Sequence, residues 1–82
     1  MAACGGNVNG VQGTGQAHKP IKAFYEAIGH LILNGQASCA LGTCNSGNCS
    51  FGLTSLTAVS DPIQVGNEVR ITVTGDGKCF CG

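Results

Sequence analysis

Large side chains and charge are both scarce in this chain of 82 residues. It has no tryptophan, one tyrosine and three phenylalanines, so a core built on clustered aromatic rings is excluded. Four basic and four acidic residues leave no net charge. Lys19, Lys22, Arg70 and Lys78 are scattered along the chain, whereas a nucleic-acid footprint needs clustered Lys and Arg. Nucleic acid is therefore not an expected partner. A membrane helix needs about 20 consecutive apolar residues. The best stretch, Ile28 to Leu33, is interrupted by Gly29 and His30, so no membrane span is expected. The opening residues have neither the basic segment nor the apolar segment of a classical secretion signal.

Glycine and cysteine are abundant: fourteen and six residues. A chain this short buries only about 60% of its unfolded surface. Each glycine loses more backbone freedom on folding than any other residue. Such a scaffold needs staples, a metal or a partner subunit. Near-zero net charge also favours association over mutual repulsion.

The expected fold is one small α+β domain. Residues 1–17 contain five glycines and read as a flexible arm carrying Cys4. Residues 18–82 form the folded part. Pro20 suits a first helical turn, and Ile21, Phe24, Ile28, Leu31 and Ile32 make one apolar stripe. These predict an amphipathic helix over 19–33, ended by a left-handed cap at Asn34-Gly35. Residues 35–50 read as a cysteine-bearing loop, with Ala37 to Leu41 as an alternative short strand. A small antiparallel sheet is expected over 51–59, 67–74 and 78–81. The clean alternation of Glu68 to Thr74 is its best signal, and Gly75-Asp76-Gly77 is read as a tight turn.

Cys4, Cys39, Cys44, Cys49, Cys79 and Cys81 carry the most chemical information. An even count fits disulfides, with 15 possible pairings. A bond from Cys49 to Cys79 or Cys81 would staple the loop to the last strand. Cys4 is the candidate for a bond between subunits. In the alternative reading Cys39, Cys44, Cys49, Cys79 and Cys81 hold zinc or an iron–sulfur cluster. Their spacings, C-x4-C-x4-C and C-x-C, sit at the edge of zinc-site spacing and match no iron–sulfur run. Otherwise no cofactor is expected. The C-x-x-C of thioredoxin-like redox proteins is absent. Gly13-Thr-Gly15 lacks the third glycine of a dinucleotide fingerprint, and no nucleophile elbow is present. No enzyme is expected.

His18 precedes Lys19-Pro20 at the expected helix start, a place that welcomes an anion. With Ser55-Leu56 and the stretch from Val65 to Asp76, it loosely resembles the phosphocarrier proteins of sugar phosphotransferase systems. The resemblance implies a small carrier phosphorylated on His18. It departs in the histidine spacing, the glycine-rich first segment, the missing closing helix and the six cysteines. His30 reads as a structural residue near the helix C-terminus, where the dipole suits it.

Together these features point to a structural subunit that assembles with itself into a filament, coat or surface layer cross-linked by disulfides. The design resembles in logic the disulfide-linked appendages of bacterial spores, whose subunits also carry an N-terminal cysteine arm. Unpaired sheet edges, with no covering element in view, would add a second route to assembly. The expected location is a cell surface or extracellular assembly, with the cytoplasm as the alternative. A small metal module is the second reading and a redox or phospho-carrier the third.

Overall fold

The computed structural model describes residues 5–41 and 49–81. They form the expected α+β unit: β1 (Asn7–Ala17), α1 (Pro20–Leu41), β2 (Cys49–Val59), β3 (Ile63–Val65) and β4 (Glu68–Cys81). β4 is central. β1 pairs along one side of it, and β2 and then β3 along the other, all antiparallel. The helix lies on one face of this sheet and leaves the other face open.

Residues 7–17 of the expected arm are a full strand, paired with β4 from Asn7↔Lys78 to Ala17↔Val69. The glycines are what seat it. Gly13 and Gly15 face the helix, where a Cβ would overlap the backbone of Ala27 and Leu31, or of Ala23 and Ala27. The strand and helix backbones therefore touch directly. Val11, Gly13 and Gly15 are buried, while Gln12 and Thr14 between them are exposed.

This close approach also selects the helix face. The buried row is Ala23, Ala27, Leu31, Gly35 and Cys39, four residues apart at each step. It shares only Leu31 with the expected stripe: Phe24 and Ile28 are half-buried and Ile21 is 60% exposed. Small residues line the inner side because bulkier ones would push the helix off β1. A row in steps of four is inclined by about 26° to the helix axis. That inclination lets it follow a sheet whose strands rotate by about 20–25° from one to the next.

The helix runs to Leu41, beyond the expected cap and through the segment read as a loop or short strand. Gly35 is not left-handed; its α-carbon lies against the Phe51 ring, where a Cβ would overlap it. Asn34 donates its side-chain amide to the Gln12 carbonyl, 2.6 Å away. Both residues serve packing rather than termination. Likewise, Gly75-Asp76-Gly77 is not a turn but the middle of one continuous strand, so the two segments expected over 67–74 and 78–81 are joined. A Cβ on Gly77 would strike the Phe51 ring, and one on Gly75 would come within 2.9 Å of Leu53. Phe51 thus sits between two glycines, Gly35 below and Gly77 beside it.

The core is Val11, Leu31, Phe51, Ile71 and Val73 with the small residues around them. It ends in a disulfide. Cys39, near the end of α1, is bonded to Cys79 of β4, and both are fully buried. By loop-closure entropy, a link across 40 residues of chain contributes about 4 kcal/mol, a large share for a domain of this size.

Candidate functional site

The six cysteines do not converge on one centre within the described residues. Cys39 and Cys79 are spent on one another, so of the two bonds expected for Cys49 the one to Cys79 does not form, while the one to Cys81 is not decided by this pairing. Cys49 and Cys81 stand opposite each other in the backbone register of β2 and β4. Cys4 and Cys44 lie outside the described residues. Among the described residues no group of three or more His, Cys, Asp or Glu is placed to hold a metal. Nor does any helix there have the length and apolarity to cross a membrane.

His18 donates from Nδ1 to the Asn67 carbonyl across 3.3 Å. It lines an open groove of about 380 Å³ with Lys19, Lys22, Glu26 and Glu68. Two carboxylates thus share the groove with two lysines, so its charges balance and it carries no excess of positive charge for a phosphoryl group. His30 is not near the helix end, because α1 continues for eleven residues beyond it.

The role of His30 is different, and sequence reasoning missed it. Its Nδ1 bonds the Thr14 carbonyl. Four residues earlier, Glu26 Oε1 accepts from the Gln16 amide at 3.2 Å. Four residues later, Asn34 reaches the Gln12 carbonyl. Glu26, His30 and Asn34 form one helix row that ties successive backbone groups along the outer side of β1. The steps match: four helical residues advance about 6.0 Å and two strand residues about 6.6 Å. The row occupies part of the hydrogen-bonding edge that an incoming strand would need. A groove of about 460 Å³, lined by Gln12, Thr14, His30, Leu33 and Asn34, runs along it.

The other edge is defended differently. β2 carries two register shifts, between Leu53 and Ser55 and between Leu56 and Ala58. Thr54 and Thr57 sit at these irregularities and donate their hydroxyls inward to the Asp76 and Thr74 carbonyls. Bulges of this kind spoil an edge as a template. Part of each edge is therefore covered or distorted, whereas the sequence had offered no covering element.

The broad faces are less protected. The open sheet face is a polar lattice: Thr14 and Thr72 hydroxyls are 3.0 Å apart, Gln12 reaches Thr74, and Gln16 bonds both Glu68 and Arg70. Phe80 and Ile63 stand exposed within it. On the opposite side, α1 turns Ile21, Tyr25 and Leu33 to solvent, each at least 60% exposed. No protein-family model, curated protein or solved structure matches this chain.

Proposed function

We propose that this protein is a disulfide-stapled structural subunit that assembles with copies of itself into a filament, coat or surface layer. The observation that carries the reading is the exposure of large apolar side chains on both broad faces of one thin body. Ile21, Tyr25 and Leu33 project from the helix side, and Ile63 and Phe80 from the sheet side. The Cα positions span only 15 Å in the thinnest direction. A subunit that is adhesive on two opposite sides can be joined into chains or layers, whereas one adhesive side gives closed pairs.

Three further features support it. The two grooves described above are open, and neither combines a Ser, Thr or Cys with both a His and a carboxylate. The charge balance is neutral, so copies do not repel. The buried Cys39–Cys79 bond suits a protein that works in an oxidising place, in keeping with a cell-surface or extracellular location. In this reading Cys4 makes a covalent link between subunits.

The test is electrophoresis of freshly purified, thiol-blocked protein, boiled in detergent with and without reductant, beside Cys4→Ser. A ladder that collapses to 8.2 kDa on reduction, and is lost in Cys4→Ser, is expected. A single 8.2 kDa band in every lane would remove the covalent link, and electron microscopy without particles would remove the assembly.

A further inference from the structure

We propose that the outer side of α1 is the contact between two copies of this chain, packed antiparallel with Gly29 at the crossing point. This deepens the assembly reading and rests on it.

The helix presents four rows, each in steps of four residues. The inner row touches the sheet. The row of Glu26, His30 and Asn34 caps β1. Phe24, Ile28 and Ile32 are half-buried on the other flank. The remaining row is Ile21, Tyr25, Gly29, Leu33 and Ala37, and all five are exposed. It contains no charged or polar side chain other than the Tyr25 hydroxyl. In a helix touching only water, such a row is the place for Lys, Glu and Gln.

Gly29 is the second observation. The glycines at 13, 15, 35 and 77 each have a neighbour that a Cβ would overlap; at Gly29 a Cβ would meet nothing within 4 Å. Its φ is not left-handed. Within one copy, then, glycine serves no purpose here and weakens the helix relative to alanine. A glycine between bulky residues on an exposed helix does serve a close helix–helix crossing, because it lets two backbones approach.

The row fits a second copy of itself. A two-fold axis through Gly29 places residue 29 − n of one helix at the level of 29 + n of the other. Tyr25 then lies at the level of Leu33, and large Ile21 at the level of small Ala37. The same axis keeps each flank beside its own kind. Phe24 and Ile28 meet Ile32 and Ile28 of the second copy. Glu26 comes to the level of His30 and Asn34, and Lys22 to that of Asn34 and Ser38, so no like charges meet. With parts of both strand edges taken up, the helix face is also a way in that costs no rearrangement.

Sedimentation velocity of the oxidised full chain tests this, over a range of concentrations, on wild type, Gly29→Leu, Tyr25→Lys and Phe80→Lys. Thermal melts report folding. Gly29→Leu has room in the single copy and improves helix propensity, so its melt should match or exceed wild type. Its two-copy species should nonetheless weaken by about tenfold or more, as should that of Tyr25→Lys. Phe80→Lys, on the opposite face, should keep that species. If wild type associates and Gly29→Leu associates equally or more tightly, the helix contact is overturned while the assembly reading stands. If wild type stays at 8.2 kDa throughout, both fall.

Discussion

Gly15 and Gly29 belong to the two sides of the same helix. Gly15, on β1, faces the inner side, where a Cβ would overlap the Ala23 carbonyl and lie 2.5 Å from the Ala27 nitrogen. Gly29, on the outer side, has open space around it. The fold of one copy fully accounts for the first and does nothing for the second. That contrast is what the proposed contact between two copies would explain.

The largest effect should come from breaking the inner side. Gly15→Val puts a branched side chain into backbone atoms that have no rotamer to adopt. The cost should exceed about 5 kcal/mol, comparable to the whole stability of a small domain. Circular dichroism should show loss of cooperative unfolding. A folded Gly15→Val protein would mean that β1 and α1 are not in backbone contact.

The disulfide comes next. Cys39→Ala with Cys79→Ala leaves two small residues in a closed core and removes the link across the fold. About 3–4 kcal/mol should be lost, read as a lower denaturant midpoint against oxidised wild type. A smaller effect is expected at the capped edge. His30→Ala or Asn34→Ala removes one bond to a β1 carbonyl and should cost about 1 kcal/mol each. The combined variant should also begin to form strand-rich aggregates, followed by dye binding, because part of the edge is freed. Without such aggregates, the Glu26, His30 and Asn34 row would be structural only.

How much of this was legible in the sequence follows the same division. Glu68 to Thr74 alternates apolar and polar residues, and it is a strand. Pro20 and the apolar positions after it announced a helix correctly. The turn signals failed where glycine was used for closeness rather than for curvature. Asn34-Gly35 and Gly75-Asp76-Gly77 read as a cap and a turn, yet the Phe51 ring takes the space at Gly35 and Gly77. β1 was invisible to a search for alternating large apolar residues because its inward positions after Val11 are Gly13, Gly15 and Ala17. The remaining signal was the outward set, Gln12, Thr14 and Gln16, which does recur with period two. The helix face departs from its bulky stripe for the same reason: small Ala23 and Ala27 are as fully buried as Leu31, while Ile21 is exposed. The capping row could be seen only once β1 was in place, since Glu26, His30 and Asn34 bond to backbone rather than to side chains.

The proposed assembly requires that this disulfide-stapled body associate through its apolar faces. Sedimentation of the oxidised wild-type chain from micromolar to millimolar concentration tests it most directly. The expected result is a sedimentation coefficient that rises with concentration, from the 8.2 kDa subunit to two-copy and larger species. A single 8.2 kDa species at every concentration would contradict it.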